Sequence, residues 1–242
     1  MDKYQILKSI IKNSKHIVFF TGAGISVPSG IPDFRSADGI YNQKTKIKAS
    51  PEEIISHHFF LENPEYFYEF YKTKMVYPTA KPNDAHIFIA DLQKEKRISV
   101  VTQNIDGLHN EAGSKEVYEL HGSIHRNRCV RCNKFFSLDD VMKQKGVPYC
   151  DKCQAIIKPE VVLYEEPLDE DIVSGAIKAI SNCDTLIVIG TSLVVYPAAA
   201  YLRYFNGKYL VVINKEPTSY DHQCDLVFHE DVIEVVKKIN EK

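Results

Sequence analysis

Two cysteine pairs, Cys129 with Cys132 and Cys150 with Cys153, stand on either side of residues 133–149. Four thiolates on two such knuckles suit a tetrahedral Zn²⁺ with no position left for substrate, a metal that holds structure together. Pairing them as disulfides instead requires an oxidising compartment. The chain opens into an amphipathic stretch, without the basic region, apolar run and cleavage site of a secretory leader, so a cytoplasmic setting and zinc are expected. Cys183 and Cys224 lie outside the pattern and read as small buried hydrophobes. Reactive chemistry is therefore sought elsewhere. One place is the loop Thr21-Gly22-Ala23-Gly24-Ile25-Ser26, whose glycines would let backbone come close to a pyrophosphate, although an ordinary tight turn has the same composition. Its continuation Ile31-Pro32-Asp33-Phe34-Arg35 joins a fixed-φ proline to an acid, an aromatic and an arginine. The alternative there is a salt bridge between Asp33 and Arg35 with Phe34 in the core. Another place is His121, which ends the run Val117–Leu120, precedes a permissive Gly122 and titrates near neutrality when unperturbed.

These residues need a frame. Apolar runs at His16–Phe20, Ile98–Thr102, Thr185–Ile189 and Tyr209–Ile213 predict buried strands, with weaker ones at Val117–Leu120, Val161–Leu163 and Asp225–Phe228. Helical spacing is predicted over the first fourteen residues and over Asp84–Lys94, Asp169–Ser181, Pro197–Phe205 and Asp231–Ile239, with Asn83 as a cap. Strands alternating with helices imply an α/β fold with a mainly parallel sheet covered on both faces. An aromatic-rich helical region, residues 40–83, and the cysteine ribbon, residues 124–159, interrupt the alternation as insertions. The nucleotide-binding part is then 1–39, 84–123 and 160–242, and the insertions form a small domain. A cleft between them is the expected ligand site.

Composition limits the functions open to the chain. At 242 residues, 44% hydrophobic and 26% charged, it can bury a full core, and no apolar run approaches the roughly 18–20 residues needed to cross a bilayer. A formal charge of −2 offers no bulk attraction to nucleic acid or anionic membrane.

Taken in order, Gly22–Ser26, Ser29–Arg35, Thr102-Gln103-Asn104-Ile105-Asp106-Gly107-Leu108-His109, His121-Gly122, the cysteine pairs and Gly190-Thr191-Ser192-Leu193 resemble the sirtuins over nearly the whole chain. The resemblance implies a Rossmann-like domain with an inserted zinc and helical small domain, and NAD⁺-dependent protein lysine deacylation. By resemblance, Gly22, Ala23, Gly24, Ser26, Asp33, Phe34 and Arg35 belong to the cofactor loop. Gln103 and Asn104 meet the nicotinamide ribose, Asn104 being counted with the catalytic residues, while Asp106 helps hold the carboxamide in a pocket that Ile105 also lines. Gly190, Thr191 and Ser192 meet phosphates, Asn214, Lys215 and Glu216 the adenosine ribose, and Asp231 and Val232 lie near adenine. His121 is the base. The acyl-lysine carbonyl oxygen attacks C1′ as neutral nicotinamide leaves, His121 then assists deprotonation of the ribose hydroxyls so that the 2′-oxygen attacks the imidate carbon, and water completes release of lysine and 2′-O-acyl-ADP-ribose.

The resemblance further implies that an acylated protein binds as an added strand between Val162-Leu163-Tyr164-Glu165 and Val194-Val195-Tyr196, with loose sequence selectivity. Phe34, His121, Val162 and Tyr164 would line the acyl-lysine tunnel. One departure stands out: the family's Phe-Gly-Glu is Tyr164-Glu165-Glu166 here. Members that take succinyl or malonyl groups carry Tyr-x-x-Arg in the helical module, whereas Tyr68 is followed at that spacing by Tyr71, and Lys72 is a poor substitute for a guanidinium. Neutral acyl groups such as acetyl are expected. The rival readings are a mono-ADP-ribosyltransferase, which would have no use for His121 on a 2′-hydroxyl, and a zinc-ribbon adaptor using Arg126, Arg128, Arg131, Lys134 and Lys152, which leaves the glycine loop unexplained. Oligomeric state is not legible.

Overall fold

A computed structural model describes residues 2–34, 39–40 and 48–241. Its strands are β1 (His16–Thr21), β2 (Arg97–Thr102), β3 (Val117–Glu119), β4 (Gly122–Cys129), β5 (Phe135–Ser137), β6 (Ile157–Val161), β7 (Thr185–Ile189), β8 (Tyr209–Ile213) and β9 (Leu226–Phe228). Its helices are α1 (Lys3–Asn13), α2 (Pro51–Ile54), α3 (His57–Glu62), α4 (Pro64–Phe70), α5 (Asp84–Leu92), α6 (Leu108–Glu111), α7 (Leu138–Lys143), α8 (Glu170–Asn182) and α9 (Val232–Asn240). Side chains start the longer helices by accepting from their first free backbone N–H groups: Asp2 for α1, Asn83 for α5, Asp169 for α8 and Asp231 for α9.

Six strands pair in the order β3-β2-β1-β7-β8-β9, every pair parallel. Counted within this sheet alone, that is the doubly wound order 3-2-1-4-5-6, with its switch point between β1 and β7. Every residue of β1 and β7 is buried, as expected of parallel strands covered on both faces. Alternation divides them between two cores. Ile17, Phe19, Ile187 and Ile189 meet α1, α5 and α9, while Val18, Phe20, Leu186 and Val188 meet α8 and the 3₁₀ helix Ala198–Tyr204. Thr21 is level with Thr102 on one side and Ile189 on the other, so the loops leaving these strands start at one height.

Strands β5, β4 and β6 form a separate antiparallel sheet that carries the cysteine knuckles. Its core is continuous with the helical insertion: Phe60, Phe67, Tyr68 and Tyr71 pack in one cluster with Cys129, Val141, Cys150 and Ile157. The expected strand Val161–Leu163 differs from its expectation. Only Val161 is in a strand, and β6 pairs with β4, because the buried residues of Ile157–Val161 alternate with Lys158 and Glu160 and face this smaller core. Helix α4 continues into a π-helical segment, Tyr71–Met75.

Candidate active site at the switch point of the sheet

The loops after β1 and β7 lie in direct contact. Gly22 N–H donates to Ile189 O at 3.0 Å and Gly24 N–H to Gly190 O at 2.8 Å. A Cβ on Gly24 would stand 2.6 Å from Gly190 Cα, and one on Gly190, at φ +62°, 2.5 Å from Ile25 N. The sequence suggests that these glycines admit a pyrophosphate; what their missing Cβ atoms admit is each other's loop. Beside that contact opens a cavity of about 830 Å³.

Most of the residues singled out from the sequence line this cavity. Gly22, Ala23, Gly24, Asp33 and Phe34 come from the first loop, Gln103, Asn104 and Ile105 from the end of β2, and His121 from the turn before β4. Gly190, Thr191 and Ser192 follow β7, Asn214, Lys215 and Glu216 follow β8, and Asp231 and Val232 begin α9. Val162, Leu163, Tyr164 and Glu165 line it as well, as do Val195 and Tyr196. Ser26, Asp106 and Val194 are not among the lining residues, and Arg35 lies outside the described residues.

Ser26 and Asp106 stand behind the wall. Ser26 Oγ donates to Asp106 Oδ2 at 2.7 Å, Leu108 N–H donates to Oδ1 at 2.9 Å, and Asn104 Nδ2 donates to both Ser26 Oγ (3.1 Å) and Gly22 O (3.2 Å). Asn104 thus braces the glycine loop. Burial raises the Asp106 pKa, against the opposing pull of the Leu108 N–H and the Ser26 hydroxyl. At the polar end, Lys215 Nζ lies 2.8 Å from Asp231 Oδ2 and Asn214 Nδ2 donates to Glu216 O at 2.6 Å.

His121 has the geometry of a base. Its Nδ1 is 2.9 Å from Gln103 O; a carbonyl only accepts, so Nδ1 carries the hydrogen and Nε2 the lone pair. Burial lowers its pKa, partly offset by the Gln103 carbonyl, so the ring is neutral at neutral pH.

The four predicted zinc ligands converge. Their Sγ atoms all lie within 4.8 Å of one another, with Cys129 to Cys153 at 3.3 Å and Cys132 to Cys150 at 3.6 Å. Those separations far exceed a disulfide bond of about 2.05 Å and approach the edge, about 3.8 Å, of a tetrahedron with Zn–S bonds of about 2.3 Å. The donor set fits Zn²⁺. Four of the five basic residues named above have partners within the ribbon and beside it: Arg126 with Glu119 and Glu160, Arg128 with Glu160, Arg131 with Cys153 O and Lys134 with Asp151.

Both the sequence and this fold have counterparts among known proteins. The profile of the Sir2 family matches residues 22–197. The chain belongs to the Sir2 family. Among its relatives, an NAD-dependent protein deacetylase of Clostridium perfringens is 56% identical over 98% of both chains, and one of Clostridium acetobutylicum is 52% identical over 99% of this chain and 98% of its own. The fold matches a solved Sir2 carrying a deacetylated p53 peptide and 3′-O-acetyl ADP-ribose, with a TM-score of 0.89, 38% identity and coverage of 98% and 97% of the two chains. It also matches a Sir2 complex with p53 peptide and NAD⁺, with a TM-score of 0.84, 39% identity and coverage of 99% and 97%.

Sequence reasoning about this sirtuin missed several lining residues. Ile55 and Met75 reach the cavity from the helical insertion, and Glu166, Leu168 and Glu230 also line it. Ile55 and Met75 sit in apolar periodic stretches, a signal that reports core and carries no mark of a cavity. Glu230 had a legible neighbour in Asp231, but its partners, Lys3, Tyr4 and Lys238, come from the two ends of the chain.

Proposed function

We propose that this chain is an NAD⁺-dependent protein lysine deacylase, acting first on acetyl-lysine. The observation that carries the reading is His121: a half-buried, neutral imidazole with a fixed tautomer, on a cavity lined by glycine-loop backbone and by the apolar group Phe34, Ile55, Met75 and Leu163. The cavity beside the glycine contact, lined by loop backbone and by Asn214, Lys215 and Glu216, fits a dinucleotide. Gly22–Gly24 with Gly190–Ser192 would hold its phosphates, Asn214, Lys215 and Glu216 its adenosine ribose, and Gln103 and Asn104 the nicotinamide ribose, with Ile105 lining the carboxamide pocket. When bound, NAD⁺ supplies a sugar carbon from which nicotinamide leaves as a neutral molecule.

The chain's own residues then have separate tasks. Nε2 of His121 takes a proton from a hydroxyl brought to it, a service worth about 10²–10⁴ in rate. Gln103 O holds the ring in register from behind. Asn104 fixes the loop that bears Gly22. The apolar group keeps water from the acyl carbonyl until the amide is committed. Ser26 and Asp106 act through the wall they brace.

The substrate is an acylated protein, bound as an extended strand between residues 162–165 and 194–196. Among the described lining residues, Lys215 is the sole lysine or arginine and is paired with Asp231, so no free cation meets an acyl carboxylate. Tyr68 and Tyr71 are buried in the small core and Lys72 Nζ donates to Gln144 O and Gly146 O, which supports the reading that these positions form no clamp for an acidic acyl group. The domain division 1–39, 84–123 and 160–242 against 40–83 with 124–159 is supported by the separate small core. Strand β4 begins at Gly122 and β6 ends at Val161, so both straddle the boundaries. Among the described residues no helix is long and apolar enough to cross a membrane. Four thiols set as metal ligands suit a cytoplasmic setting.

His121→Ala tests the assignment. NAD⁺ should still raise the melting temperature, because ligand binding to the native state stabilises it, while turnover of an acetyl-lysine peptide falls about 10²–10⁴-fold. Turnover within threefold of the unaltered protein would remove His121 from its role.

A further inference from the structure

Glu165 stands where the sirtuin pattern has glycine, and its backbone is in the left-handed region, φ +76°. A side chain there is strained, and this one is engaged. Its Oε2 accepts from His58 N–H at 3.1 Å and its Oε1 lies 2.8 Å from His58 Nδ1, so one carboxylate grips the backbone and ring of a residue on α3. A neutral imidazole with its hydrogen on Nδ1 suffices for the second bond. The next residue repeats the pattern: Glu166 Oε1 lies 2.7 Å from His57 Nδ1, while its Oε2 accepts from Lys158 Nζ at 3.0 Å and Leu163 N–H at 2.9 Å.

The backbone of residues 162–165 is largely spent on internal bonds. Val162 N–H donates to His121 O, Tyr164 N–H to Ile55 O, His57 N–H to Tyr164 O, each at 3.0 Å, and Glu166 N–H to Leu163 O at 3.0 Å. Among the described residues, Val162 O and both the N–H and the C=O of Glu165 are the backbone groups of this segment left without a partner. An added strand is held by main-chain hydrogen bonds, so these groups are where a substrate backbone would dock.

We propose that Glu165 is a positioning residue for substrate: its carboxylate clamps His58, and the clamp holds the left-handed turn that presents Glu165 N–H, with Val162 O, to the backbone of the acyl-lysine peptide. This rests on the deacylase reading and deepens it. The glycine of the family pattern allows the turn without fixing it; in this chain the side chain fixes it at the cost of strain. The clamp acts on peptide binding alone, since neither Glu165 nor His58 touches the groups assigned to NAD⁺.

The test is steady-state kinetics with an acetyl-lysine peptide, together with peptide affinity by fluorescence anisotropy, for the full-length protein, Glu165→Gly, Glu165→Gln, His58→Ala and the double variant Glu165→Gly/His58→Ala. Glu165→Gly keeps the turn accessible and His58→Ala leaves the strained residue in place, so neither relies on the other's folding. Both sites are half exposed, which limits the effect to about three- to tenfold. KM and peptide Kd should rise by that factor in Glu165→Gly and in His58→Ala, with kcat and the NAD⁺-dependent melting shift unchanged. The double variant should be no worse than either single one, and Glu165→Gln, which keeps an acceptor for His58 N–H, should recover most of the loss. Peptide KM and Kd within 1.5-fold of the unaltered protein in both single variants, or additive losses in the double, would overturn the clamp. A wild-type chain that binds the peptide but never deacylates it would instead overturn the deacylase reading, since the anisotropy arm reads the clamp without turnover.

Discussion

Replacing Gly190 by alanine strikes the contact on which the site is built. Two costs add. A residue with a Cβ in left-handed backbone loses about 1–2 kcal/mol, and Gly190 has φ +62°. The new Cβ would also lie 2.5 Å from Ile25 N, 2.6 Å from Gly24 C and 2.7 Å from Gly24 Cα, all backbone atoms that cannot rotate away. Forcing such overpacking apart costs about 1–3 kcal/mol. The sum, about 2–5 kcal/mol, corresponds to a melting temperature lower by roughly 4–20 °C at about 2–4 °C per kcal/mol for a chain of this size. Because the displaced atoms belong to the loop expected to hold the dinucleotide, the NAD⁺-induced rise in melting temperature should vanish with it. Gly146→Ala is the control: Gly146 also has positive φ, +65°, but nothing lies within 4 Å of its Cβ position. It should show only the conformational cost, about 1–2 kcal/mol, and a full response to NAD⁺. Differential scanning fluorimetry with and without NAD⁺ measures all four quantities. If Gly190→Ala melts no lower than Gly146→Ala and still responds to NAD⁺, the loops do not touch as described and the reasoning is wrong.

Three further outcomes follow from the same geometry. Metal analysis should find one zinc per chain, and chelation should lower the melting temperature sharply, because Cys129 and Cys150 are part of the core that the ribbon shares with the helical insertion; a chain that melts identically without metal contradicts the zinc site. An acetyl peptide should be cleaved with at least about tenfold higher kcat/KM than its succinyl counterpart, since no guanidinium or unpaired ammonium among the described lining residues meets the extra carboxylate; equal rates would refute this. Burial holds His86 neutral, with its pKa lowered from 6.5 to about 4. The unfolded chain therefore binds the proton first, so the stability this group contributes is complete above pH 6.5 and is lost as pH falls toward 4, a change of about 3 kcal/mol. His109, packed on His86 with ring centroids 4.8 Å apart, shifts in the same direction through burial. Denaturant unfolding between pH 7 and 5 should show this slope flattened in His86→Gln; equal slopes in the two proteins would refute the assignment.

Much of the site was legible because its parts are marked in the chain. β1, β7 and β8 are short apolar runs bounded by Gly22, Gly190 and Asn214, and a strand's end is where an open parallel sheet binds ligands. The cysteine pairs declare their geometry through spacing. Other features carry no local signal. Ser26 and Asp106 are polar residues beside a nucleotide loop, and only the fold shows that they bond each other behind it. Strand β6 hid because Lys158, Pro159 and Glu160 break the apolar run, and its partner β4 follows a turn that glycine makes possible: a Cβ on Gly122 would sit 1.8 Å from Glu160 O. Glu165 was visible as a departure from pattern, whereas its partner His58 lies more than a hundred residues earlier.

The most direct test counts products. Incubated with NAD⁺ and an acetyl-lysine peptide, the zinc-loaded protein should form deacylated peptide, free nicotinamide and O-acetyl-ADP-ribose in equal amounts by mass spectrometry, and none of them when NAD⁺ is left out. Free acetate without nicotinamide, or a protein heavier by one ADP-ribose in place of the acyl-sugar product, would contradict the account.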